Sequence, residues 1–177
     1  MFDRTYTQLS IRLVKMKLAG FMGLILCLLL AGKISSQQQV IIEASQDNTV
    51  YELFNSRSNG SGLEVQVGVT NSDINPLKRR GFFQFPIADN MPEGATITDA
   101  KIELYCDKVS SSGVPSDYAF HRVLQAWGEG NSVSTGGQGV QAQTDDATWQ
   151  FRFYPNITWN TPGGDFASIQ SAIASVN

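Results

Sequence analysis

The stretch TITDAKIELYCDK, residues 96–108, decides the fold class. Ala100, Ile102, Leu104 and Cys106 alternate with Lys101, Glu103, Tyr105 and Asp107. A period of two turns into one apolar and one polar face on a pleated strand. Working outward, the same logic predicts strands at 40–45, at 49–54 after the Asp47-Asn48 turn signal, and at 63–69, where Leu63, Val65, Val67 and Val69 share a face. Residues 80–85, RGFFQF, carry aromatics on both faces, as a central strand would, and Pro86 ends the run because proline cannot donate to a ladder. Residues 118–127 alternate again, and short strands flank Pro155 at 151–154 and 156–159. Residues 56–62 and 128–139, rich in Gly, Ser and Asn, read as loops. At the end, Phe166, Ile169, Ile173 and Val176 fit a helix face, while Ile169, Ser171, Ile173 and Ser175 fit a strand. Helical periodicity is otherwise nearly absent, so the expectation is an all-β, antiparallel β-sandwich or jelly roll.

The start of the chain reads differently. Lys15 and Lys17 precede the uncharged run LAGFMGLILCLLLAG at 18–32, and a small polar exit, Ser35-Ser36, follows it. At 15 residues the run is shorter than the roughly 18 or more needed to span a membrane as a helix. Basic start, short apolar core and small exit make a secretory signal peptide over residues 1–36, helical in its core, with Met16 an alternative start. The expected product is secreted or held at a cell surface, with no stable membrane insertion. The leader holds five of the 13 Lys and Arg and one of the 16 acids, so the remainder carries eight against fifteen, a formal −7. Such a charge argues against nucleic-acid binding, which needs cations for phosphates. An anionic polymer would likewise need a local basic patch. Cys27 falls in the leader, leaving Cys106 without an intramolecular partner; its alternating context makes it a buried small hydrophobe.

Spaced signatures then join in one order: RRGFFQF at 79–85, PEGATITDAKIELY at 92–105, HRVLQAWGEG at 121–130, ATW at 147–149 and WNTPGGDF at 159–166. Together they resemble the DNRLRE family, which is similar to carbohydrate-binding module family 96 and to disaggregatase-related repeats. The resemblance covers residues 40 to 166 and sets the domain at 40–177. It implies an extracellular β-sandwich that binds polysaccharide or serves as an adhesive module, with no hydrolytic residues. It also implies a strand near the end and one or two closing strands beyond it, so that the chain looks truncated and attached to further domains.

Candidate chemistry is sparse. His121 is the one histidine and reads as a packed or strand-surface residue; one His and one Cys cannot build a zinc site. Asp145-Asp146 reads as a solvated turn, and Glu129, between two glycines, as a turn cap, so a lyase or glycosidase ranks third among the functions. Lys78, Arg79 and Arg80 form the only basic cluster after the leader, with Arg122 on another predicted strand; these and Tyr118 are the expected ligand contacts for an acidic polysaccharide such as alginate, or for a cell-surface glycan. For Arg80 the alternative is a strand anchor paired to a carboxylate. Trp127, Trp149 and Trp159 are expected in the core, with Tyr105 and Tyr118 nearer the surface. No cofactor is required. Glu43, Asp47, Glu52 and Asp165 supply oxygen ligands for a structural calcium, without EF-hand spacing.

Overall fold

The computed structural model of the chain describes residues 2–15, 36–69, 77–109 and 116–176. Those residues form an all-β protein whose only helix is the turn α1 (Ile87–Asn90). The widest sheet is built on β1 (Phe2–Lys15). It pairs antiparallel with β2 (Ser36–Glu43) along one edge and with β8 (Thr96–Cys106) along the other, while β5 (Glu64–Val65) caps its start. A second sheet has the order β3 (Gln46–Tyr51), β7 (Lys78–Gln84), β6 (Gly68–Val69). Three antiparallel pairs complete the architecture: β4 (Arg57–Ser58) with β10 (Val140–Gln141), β11 (Phe151–Phe153) with β12 (Ile157–Thr158), and β9 (Ser116–Val123) with β13 (Phe166–Val176).

β7 is central, as aromatics on both its faces suggested. On one face Phe82 lies 5.5 Å, centroid to centroid, from both Trp127 and Trp159. These rings, with Val50, Ala147 and Trp149, form the main core, and Val123 packs on it. The Trp159 indole donates to Thr148 O at 3.0 Å, so its one polar atom is satisfied. On the other face a Cβ at Gly81 would come within 2.6 Å of Val65 and 2.8 Å of Val67, so the absent side chain lets those valines close over the strand.

Beside this apolar core lies a polar one. Asn48, fully buried on β3, accepts from Ser58 Oγ at 2.9 Å and Asn59 N at 3.2 Å through Oδ1; its Nδ2 donates to Glu129 O at 2.9 Å. Asn59 continues the chain of bonds, donating to Glu64 O and accepting from Ser134 N. Glu129 Oε1 accepts from Asp47 N at 2.9 Å. The Asp146 carboxylate accepts from Gln143 N at 2.6 Å and Ser132 N at 3.3 Å. The Trp127–Gly128–Glu129–Gly130 segment runs through the middle, where a Cβ at Gly130 would fall 1.6 Å from Asp146 Oδ1.

Several expectations are corrected. Residues 63–69 are not one strand: Leu63 and Val69 are exposed, and only Val65 of the alternating set is buried. Gly68 at φ +125° breaks the extended backbone, and Gln66 N bonds the Thr49 hydroxyl instead of a ladder partner. Asp145-Asp146 is a solvated turn only at Asp145, which is exposed; Asp146 is fully buried and bonded to the loop it closes. Cys106 is only partly buried, with Sγ 3.8 Å from Lys108 O. The ambiguous end is strand β13, held by pairing with β9. Residues 2–15, expected in the leader, are strand β1. The apolar run 18–32 lies outside the described residues; among those described, no helix is long and apolar enough to cross a membrane.

Gly130→Ala is expected to cost roughly 3 kcal/mol or more, because it combines a left-handed φ of +72° with a collision against a buried carboxylate. Gly136→Ala, whose Cβ meets nothing within 4 Å, should stay within about 0.5 kcal/mol of the parent. Urea unfolding midpoints of the two variants check this.

Candidate functional site

The end of β3 and the start of β7 meet across a ladder in which Tyr51 faces Arg79. Just beyond, two reciprocal bonds zip the strands: Glu52 N donates to Lys78 O at 3.0 Å, and Lys78 N donates to Glu52 Oε2 at 2.7 Å. The long loop after β9 folds down on this corner. Gln66 Nε2 reaches Gly136 O at 3.3 Å, Arg57 Nη1 reaches Gln138 O at 3.4 Å, and Gly139, at φ +65°, lies flat against the Tyr51 ring. What remains between them is a cleft of about 100 Å³ lined by Tyr51, Phe54, Lys78, Arg79, Gly137 and Gln138, with exposed Leu53 at its rim.

Three cations gather there. Lys78 and Arg79 line the cleft, and Arg57 stacks over the Phe54 ring at 4.3 Å while holding the Gln138 carbonyl. Two buried polar atoms at the same corner have no hydrogen-bond partner, the Tyr51 hydroxyl and Gln66 Oε1. Thr49 lies close to the Tyr51 hydroxyl and opposes the effect of burial on it, but no bond of good geometry joins the two hydroxyls. A Cβ at Gly137 would sit 3.7 Å from Gln66 Oε1 and 3.8 Å from Arg79 Nη2, which places acceptor and cation side by side. A buried polar group left unmatched costs about 1–3 kcal/mol, so these two weigh against stability at this corner.

The sequence-based ligand contacts divide. Lys78 and Arg79 come together at the cleft. Arg80 points the other way, into the core: its guanidinium lies 4.8 Å from the Trp149 ring and 4.9 Å from the Phe166 ring, and Nη1 donates to Gly163 O at 2.6 Å. It anchors a strand, as the alternative reading had it, but through a carbonyl and two rings. Burial pushes its pKa down, opposed by the Glu52 carboxylate. Arg122 is exposed on β9, and Tyr118 reaches toward Gly68 with its hydroxyl; neither lines the cleft. Arg57 was missed, because an isolated Arg in a polar loop gives no signal until the fold brings it to Phe54.

The proposed calcium ligands are not gathered. Glu43 is exposed, Glu52 bonds Lys78 N, and Asp165 accepts from Asn160 N at 2.9 Å and Thr161 N at 2.8 Å, closing its own turn. Among the described residues no three His, Cys, Asp or Glu form a group able to hold a metal. Glu129 and Asp146, two of the carboxylates weighed for glycoside hydrolysis, are engaged by backbone N–H groups; burial raises the Asp146 pKa despite those bonds. His121 Nδ1 lies 2.8 Å from Ala167 O and its ring lies against Phe166, a packed position. A wider, open depression of about 340 Å³ beside Leu124, Asn160 and Phe166 is walled by the same self-closed Asp165 turn. No family model, curated protein or solved structure matches the chain.

Burial pushes the Tyr51 pKa up to about 12. The folded value then exceeds the roughly 10 of an unfolded tyrosine, so the fold loses stability as pH rises from about 10 through 12. Two pH units correspond to about 2–3 kcal/mol, a loss expected in the parent and absent in Tyr51→Phe. Urea titrations at pH 9 and pH 11.5 measure the difference.

Proposed function

We propose that the protein is an exported, non-catalytic carbohydrate-binding module of β-sandwich, jelly-roll-like architecture, akin to the DNRLRE family it resembles, and that its ligand is an acidic polysaccharide such as alginate. The observation that carries this reading is the cleft in which Lys78 and Arg79 stand beside the Tyr51 and Phe54 rings, with Arg57 stacked over Phe54 at its margin. A uronate suits such a patch, because its carboxylate pairs with a guanidinium and its ring can lie against an aromatic wall. A chain of net negative charge must repel a polyanion except at such a local patch. The cleft volume, about 100 Å³, is only a few water molecules' worth. A carboxylate and one edge of a sugar ring enter it, so the polymer lies across the corner and is not enclosed.

A second reading, a structural or adhesive surface module, draws on a separate observation. Ile102 and Tyr105 on β8, and Ile169 and Ile173 on β13, are large and exposed, with Ile169 at 82 %. Apolar groups on two long strands suit protein contact better than sugar.

Calorimetry against alginate and a neutral glucan separates the two. Binding of alginate alone is expected, weakened at least tenfold in Lys78→Ala/Arg79→Ala with an unchanged melting temperature. Tyr51→Phe should leave binding unchanged and neutral-pH stability equal or higher, since it deletes only a buried, unmatched hydroxyl. A parent chain that binds no acidic glycan contradicts the polysaccharide reading and favours the adhesive one.

A further inference from the structure

β1 is the hub of its sheet: among the described residues, β2 and β8 have no other ladder partner. Both run antiparallel to β1 and therefore parallel to each other, about 10 Å apart, two strand spacings. Every residue from Gln8 to Val14 pairs with both neighbours, the β8 ladder shifting by one residue at Thr98, between Arg12 and Leu13. The walls also reach inward with side chains: Gln39 Nε2 on β2 donates to Ser10 Oγ at 2.9 Å, and Thr98 Oγ1 on β8 donates to Arg12 O at 3.1 Å. Residues 8–13 of the strand, QLSIRL, alternate polar and apolar residues, the period of a pleated strand.

The covalent tie to this strand is oddly long. Lys15 and Ser36 are ladder partners, yet residues 16–35 join them where a hairpin uses two to five. That same stretch ends at the Ser35-Ser36 exit expected of an export signal. A cut there leaves β1 held by hydrogen bonds and packing alone.

We propose that β2 and β8 form a strand-acceptor groove whose occupant is Phe2–Lys15, bound in cis in the uncut chain and able to bind in trans, from a severed leader or from a second copy. Recognition is β-strand addition on two edges at once: main-chain bonds give affinity, and Gln39 and Thr98 fix the register. A two-edged slot is more selective than a single sheet edge, because an occupant lacking an N–H on either side leaves a ladder carbonyl unmatched.

The test uses the full-length chain carrying one specific protease site within residues 18–32. After cleavage, native mass spectrometry is expected to show the N-terminal fragment still bound, and a fluorescent peptide of residues 2–15 should replace it at one per chain. The same peptide with Ile11→Pro should be taken up at least tenfold less well. Loss of the fragment on cleavage, failure of the labelled peptide to enter, or equal uptake of the proline peptide would each overturn the proposal.

Discussion

The carboxamide of Asn48 is the interaction on which the rest of the structure depends. It uses both lone pairs and its amide donors on three separate segments: Ser58 and Asn59 before β5, and the Glu129 and Ala147 carbonyls on either side of the long loop. Those segments are remote in sequence, and none belongs to a sheet wide enough to hold itself. A fully matched buried amide can fix a unique arrangement where apolar contacts alone would tolerate several. Around it, glycines are required where backbones touch. A Cβ at Gly60 would fall 1.7 Å from Glu129 O, and one at Gly128 would fall 1.9 Å from Asp145 O. The turn-like Trp-Gly-Glu-Gly motif is therefore an internal crossing point.

The position of the candidate cleft follows from this crossing. Because Asn48 and Glu129 tie the long loop to β3, its continuation through Gly136 to Gly139 is delivered onto the Tyr51 ring, closing one wall. β7 then sorts its basic run by the parity of a strand. Arg79 turns to the cleft and Arg80 to the aromatic core, where two rings and a carbonyl compensate a half-buried guanidinium. Adjacent arginines thus do unrelated jobs.

The all-β class was legible because alternation and turn residues depend only on local chemistry: β7 and β9, the Pro155 pair and the buried tryptophans all follow from it. Residues 63–69 misled for the opposite reason. Their alternation is real, but Gly68 and the Thr49–Gln66 bond redirect the backbone, and neither constraint is local. At the site, Lys78 and Arg79 announced themselves as a cluster. Arg57, Tyr51 and Gln66 did not, since their meeting depends on a loop 81 residues downstream of Arg57 and 70 downstream of Gln66. The carboxylates were the least legible group. An Asp that closes its own turn and an Asp free to hold a cation read alike until their N–H partners are seen.

Native-state hydrogen exchange tests the central role of the Asn48 knot most directly. The backbone amides of Asp47, Asn59, Gly60 and Ser132 all end on side chains of this knot. If it holds the fold together, they exchange only through global unfolding, with the full unfolding free energy and the full urea dependence. Exchange of these four at lower free energy than the amides of the β9–β13 ribbon would contradict it.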